Sequence, residues 1–128
     1  HGTIGHSDVW NRLDAPNRYT FTIRDEGAAA QLAALHDFFT ALPFWRMQPF
    51  TNLTGEAVVL ADSDKTFVAY LAHGGAITMT LAATDGSLVA RWFNPRTGEF
   101  SQPRRVASAG RQTFQAPDTN DWALVVRP

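Results

Sequence analysis

Four histidines and no cysteine bound the chemistry open to this chain of 128 residues. The missing thiols exclude disulfides, thiolate metal centres and a cysteine nucleophile together. A mature N-terminal histidine can hold copper through its amine and ring nitrogen. His1, with His6, His36 or His73 as second ligand, would then make a copper-dependent polysaccharide oxidase. No motif marks which of the three would serve. His36 and Asp37 lack a serine or carboxylate partner at a telling spacing and read as a solvated helix edge, not a catalytic dyad. His73 precedes a Gly-Gly turn, where exposure is expected. Asp62-Ser63-Asp64 supplies only some of the oxygens a loop calcium site needs, and a polar turn is the simpler reading.

The elements that would carry these residues change character near Pro43. Before it, Leu32, Leu35, Phe39 and Leu42 recur at spacings of three and four, Asp25 can cap, and Pro43 stops the run, which predicts a helix over 26–42. After it the period falls to two. Ala57 to Ala61, Phe67 to Leu71, Ile77 to Leu81, Leu88 to Phe93, a stretch around Phe100, Gln112 to Gln115 and Trp122 to Val126 read as strands. About seven short strands at regular spacing predict a mainly β fold, an antiparallel β-sandwich with one helix in front of it. Phe67–Leu71 and Ile77–Leu81 should form a hairpin across Gly74-Gly75, and Asp85-Gly86 should turn the chain again.

The segment Arg91-Trp92-Phe93-Asn94-Pro95-Arg96-Thr97-Gly98-Glu99-Phe100 specifies a second hairpin with a bulged loop. Pro95 presets φ for the first corner of a type I turn, Asn94 suits the position before it, and Gly98 supplies the positive φ. Alternation puts Trp92 in phase with Leu88 and Ala90, and Trp122 in phase with Leu124, so both tryptophans read as core. Phe44 and Trp45 are expected at the junction of helix and sandwich, which leaves few aromatics for a flat binding platform.

Charge adds little. Eleven Lys and Arg against twelve Asp and Glu give a net charge of −1 and no field to attract nucleic acid or an anionic membrane. Within that balance, positions 91–128 carry six arginines against three acids, a mild arginine face whose simplest reading is a solvated surface. No apolar run approaches the length of a membrane helix. The chain opens at His1 without a methionine, so upstream sequence is expected to be missing and the lack of a signal peptide is uninformative.

Taken in order, Gly5-His6-Ser7-Asp8-Val9-Trp10, Glu26-Gly27-Ala28, Phe44-Trp45, the Trp92-to-Gly98 hairpin and the closing Asp121-Trp122 resemble the C-terminal end of apiosidase-like glycoside hydrolases. Those enzymes look like a (β/α)8 barrel followed by a small β-sandwich, catalogued as a collagen-binding domain of a collagenase. The resemblance implies that residues 1–42 are the loop and last helix of such a barrel and that 43–128 form the sandwich. It also implies that the catalytic carboxylates, which crown earlier barrel strands, lie outside this chain, so no catalytic residue, metal or cofactor is assigned. His6, Asp8 and Trp10 would follow the last barrel strand, where a ring can stack on sugar and the polar groups can bind hydroxyls. The alternative leaves Trp10 packed under the helix, His6 in an ordinary loop and Asp8 as a turn cap.

The expectation is therefore a non-catalytic accessory domain of a bacterial enzyme acting on plant cell-wall glycans, secreted or periplasmic, with the catalytic barrel as its partner in cis. A glycan- or collagen-binding module is the alternative, and a copper oxidase using His1 a more distant one. Once the barrel is removed, the stripe Leu32, Leu35, Phe39 and Leu42 must dock on the sandwich, on a second chain or on nothing.

Overall fold

A computed structural model describes residues 26–62, 66–81, 86–107 and 109–128. Helix α1 spans Glu26–Thr40, and a 3-10 turn, Phe44–Arg46, follows it. Among the described residues ten strands come next: β1 (Gln48–Pro49), β2 (Leu53–Thr54), β3 (Val58–Asp62), β4 (Thr66–Leu71), β5 (Ala76–Leu81), β6 (Leu88–Asn94), β7 (Glu99–Phe100), β8 (Arg104–Val106), β9 (Gly110–Gln115) and β10 (Trp122–Arg127).

They form two antiparallel sheets. The larger runs β1-β3-β4-β10-β6-β7, with β8 also on β6, and the smaller runs β2-β5-β9. Strict alternation assigns the faces of the large sheet. Phe67, Ala69 and Leu71, with Leu88 and Ala90, and Leu124 and Val126, point inward to meet Ile77, Met79, Leu81 and Phe114 of the small sheet. Val68, Phe93, Ala123 and Val125 point outward and are covered by α1. The architecture is a β-sandwich with a helix on its outer face, two cores separated by one sheet. β4 and β10 are buried on both faces, so their cores read as unbroken apolar runs.

Two expectations need correction. β4 and β5 do not pair: β4 lies between β3 and β10, whereas β5 lies between β2 and β9. The Gly74-Gly75 turn carries the chain from one sheet to the other. Its anchor is the end of β9, where Ala116 N–H and the Gln115 side-chain amide both donate to the Gly75 carbonyl, at 2.9 and 3.1 Å. The helix also docks by a stripe that shares only Leu42 fully, and Phe39 in part, with the expected one. Ala34, Phe38 and Leu42, one turn apart, face the sheet, and Phe38 stacks on Phe93 at 4.5 Å and on Phe100 at 6.1 Å between ring centroids. Leu32 and Leu35 remain 44% and 45% exposed. Phe39 lies between the two faces, edge-on to Phe38.

The β6–β7 hairpin forms as its residues require. Thr97 and Gly98 N–H both donate to the Asn94 carbonyl, at 3.3 and 2.8 Å, and Gly98 takes φ +76°. An added Cβ there would stand 3.2 Å from Ala34 Cβ, so the turn and the helix press together. Beyond Phe100 the ladder bends. Ser101 keeps contact with β6 through its backbone N–H to the Trp92 carbonyl and through Oγ, which accepts from Trp92 N–H at 2.9 Å. The chain then returns to β6 as β8, pairing Arg105 with Val89.

Candidate functional site

The hairpin turn and the Asp121-Trp122 ending, 25 residues apart in sequence, meet in space. The Arg96 guanidinium donates to the Asp121 carboxylate and, at 2.6 Å, to the Asp121 backbone carbonyl, and it lies 5.2 Å from the centre of the Trp122 ring. The turn fixes the arginine from below, because Asn94 Oδ1 accepts from Arg96 N–H at 3.0 Å. Tyr70 Oη reaches the other Asp121 oxygen at 3.4 Å. Trp122 Nε1–H donates to Asp118 Oδ1 at 2.7 Å, and the same oxygen accepts from Asn120 N–H.

This cluster of charge and aromatic surface has the composition of a saccharide site but the wiring of a lock. Asp121 neutralises Arg96, and Arg96 occupies a face of Trp122 that a sugar would need. Trp122, read as core from its phase, is instead a half-buried ring tied down by Arg96 and Asp118. Trp92 is where phase places it, packed against the inter-sheet core.

Two ionisable groups in the lock are shifted, in directions that oppose catalytic use. The indole donor, then Asn120, holds the Asp118 carboxyl below its ordinary value, which is the wrong direction for a general acid. Desolvation, then the neighbouring Asp121 carboxylate, raises the Tyr70 phenol. The signs define a stability plateau. Asp118 stabilises the fold fully above its ordinary value of 3.8, and that contribution is lost as pH falls through its folded pKa. Tyr70 contributes fully below 10.0, and its contribution is lost as pH rises through its folded pKa. Thermal melts from pH 3 to 11 should show both limbs. Tyr70→Phe should flatten the alkaline one and Trp122→Phe the acid one; unchanged limbs would contradict the assignment.

The other candidates divide clearly. His6, Asp8 and Trp10, the sugar-facing set, lie outside the described residues, as do His1 and the Asp25 cap. His36 and Asp37 touch each other at 3.2 Å in open solvent. Of the calcium reading only Asp62 is described, and it pairs with Arg46 at 3.5 Å. Among the described residues no three His, Cys, Asp or Glu gather to hold a metal. Phe44 and Trp45 are not packed into the junction: they stand 47% and 68% exposed, their rings at 81° to each other. Met47 fills that place instead.

The architecture is that of an accessory β-sandwich. The chain belongs to the family described as "putative collagen-binding domain of a collagenase", whose model matches residues 51–127. A solved structure named "Glycoside hydrolase" superposes with a TM-score of 0.61 at 17% identity, over 76% of this chain and 24% of its own. A family 5 glycoside hydrolase from Bacteroides vulgatus superposes at 0.66 and 16% identity, over 79% of this chain and 24% of its own. The chain thus spans about a quarter of these structures. No curated protein matches it in sequence.

Proposed function

We propose that this chain is the non-catalytic accessory domain of a bacterial glycoside hydrolase, and that α1 is the element by which it grips the catalytic barrel in cis. The observation that carries the reading is the two-faced helix. One apolar stripe is spent on the sandwich, while Leu32 and Leu35 on α1, with Phe44 and Trp45 just beyond it, are left in solvent. An apolar patch of that kind marks an interface. The two solved structures, three quarters of whose length lies outside the match, supply a catalytic domain as the natural occupant. The finer reading is an apiosidase-like enzyme acting on plant cell-wall glycans, secreted or periplasmic. Among the described residues no helix is long and apolar enough to cross a membrane.

A glycan- or collagen-binding module is the second reading, favoured by the family's description. The aromatics give it little support. Phe100 carries Arg91 at 4.7 Å, Trp122 carries Arg96, and Phe44 and Trp45 are not coplanar.

The test is the double substitution Leu32→Glu with Leu35→Glu. In the chain alone it should leave Tm within the effect of about 0.5 kcal/mol typical of surface changes. In the full-length enzyme it should lower Tm and expose the junction to protease. A large loss of stability in the chain alone, or none in the full-length enzyme, would refute the docking role.

A further inference from the structure

The outer face of the large sheet is covered only in part. Antiparallel partners share a face, and one row of it runs from Val58 on β3 through Tyr70 on β4 and Ala123 on β10 to Phe93 on β6. Ala123 and Phe93 are buried under α1, whereas Tyr70 and Val58 emerge from it, 44% and 71% exposed. Helix geometry shows which side of α1 this bare sheet adjoins. With Phe38 facing the sheet, Leu35 and Phe39 are turned about 60° and 100° to one side and Ala34 about 40° to the other. Ala34 belongs to the hairpin side, where it stands against Gly98. Phe39 belongs to the β3 side: it meets Phe44 edge-on at 6.2 Å, and Arg46, two residues further on, pairs with Asp62 at the end of β3. Leu35, with Leu32 one turn before it, therefore lies on the flank that borders Val58 and Tyr70.

These four residues form a trough with one helical wall and one sheet wall. Its chemistry selects the occupant. A saccharide needs convergent hydrogen-bonding groups, and here the one polar group of the four side chains, the Tyr70 hydroxyl, is already bound to Asp121. A polyanion needs cations, and the four include none. Apolar protein surface is the chemistry that fits. A second copy of the chain would have to find the trough by diffusion, whereas a domain preceding α1 in the same polypeptide is tethered to one of its walls, at an effective concentration on the order of millimolar. We propose that the catalytic domain seats on both walls at once, its contact running from α1 across to Val58 and Tyr70. The identity of the occupant rests on the accessory-domain reading; the extent of the contact rests on the sheet row and the helix flank. The consequence is orientation. A helix alone leaves two domains free to rock, and a second apolar wall at an angle to the first fixes how the sandwich sits.

The test combines hydroxyl-radical footprinting at Tyr70 with substitution of Val58, in the full-length protein and in the chain alone. Tyr70 should be oxidised strongly in the chain alone and should lose most of that oxidation in the full-length protein. Val58→Glu should speed proteolysis of the full-length junction about tenfold, because a carboxylate cannot be buried there unpaired and cleavage follows the undocked population. In the chain alone the same substitution, at an exposed position, should leave the circular dichroism melt unchanged. Val58→Thr keeps the β-branched shape, so it should fold as the parent does and still speed junction cleavage, by less than Val58→Glu. Protection of Leu32 and Leu35 with Tyr70 left reactive would overturn the two-walled seat while helix docking stands. All three as reactive in the full-length protein as in the chain alone would overturn both. Junction cleavage unmoved by either Val58 substitution would also overturn the seat, and protection of Tyr70 that grows with concentration in the chain alone would assign the trough to a second copy instead.

Discussion

Phe38→Ala should release helix α1 from the sandwich while leaving the inter-sheet core in place. Phe38 is 4% exposed and is the largest side chain by which the helix docks on the sheet, stacked on Phe93 and Phe100. Removing a buried phenylalanine costs about 3–5 kcal/mol, transfer and cavity together. A helix of 15 residues has little stability of its own in water, so loss of docking becomes loss of helix. The sandwich core of Phe67, Ile77, Met79, Leu88, Leu124 and Val126 belongs to a different cluster and keeps its contacts. Circular dichroism should show the 222-nm helix signal melting well below the near-ultraviolet signal of the sandwich, whereas the parent melts as one unit. Leu35→Ala should change neither. If Leu35→Ala proves as costly as Phe38→Ala, the helix docks by the stripe its periodicity first suggests.

Gly74→Ala should be the most damaging conservative change at the far end of the sandwich, and Gly75→Ala is its control. Both glycines have positive φ, +62° and +86°. A Cβ on Gly74 would lie 2.0 Å from the Asp118 carbonyl oxygen and 2.9 Å from Thr119 Cα, both backbone atoms, whereas one on Gly75 meets nothing within 4 Å. Gly75→Ala therefore carries only the left-handed backbone penalty, about 1–2 kcal/mol. Gly74→Ala adds displacement of the loop that presents Asp118 to Trp122, for a total of roughly 3–4 kcal/mol. Chemical denaturation should separate the pair by about 2 kcal/mol, with the Trp122 fluorescence altered only in Gly74→Ala. Equal costs would show that the turn does not bear on the 118–119 backbone.

Strand content is legible in the sequence wherever alternation or an unbroken apolar run extends over about five residues; β4, β5, β6 and β10 fall where Phe67, Ile77, Leu88 and Trp122 predict them. Of the short strands only β7 is, because the Asn94-to-Gly98 turn implies a returning strand at Phe100. β1 contains Pro49, β2 has two residues, and β8 opens on Arg104-Arg105, so each lacks an apolar rhythm and exists only because a partner offers an edge. Helix orientation fails for a different reason. With alanine, leucine and phenylalanine on most sides of α1, the sequence contains two apolar stripes, and periodicity cannot say which meets the sheet. Gly-Gly suggests a hairpin between β4 and β5, yet whether a turn joins neighbours or crosses between sheets is decided by strands far away in sequence. The lock had a signal of another kind. The hairpin motif and Asp121-Trp122 are more telling together than apart, and Arg96 supplies the physical link, a contact no local pattern encodes.

The docking role requires that the outer face of α1 be covered in the full-length protein. Hydroxyl-radical footprinting of the full-length protein beside the isolated chain reads this directly at Trp45, the most exposed of the aromatic residues among those described. Strong oxidation of Trp45, Leu32 and Leu35 in the chain alone and protection of all three in the full-length protein is the predicted result. Equal oxidation in both would contradict a docked barrel.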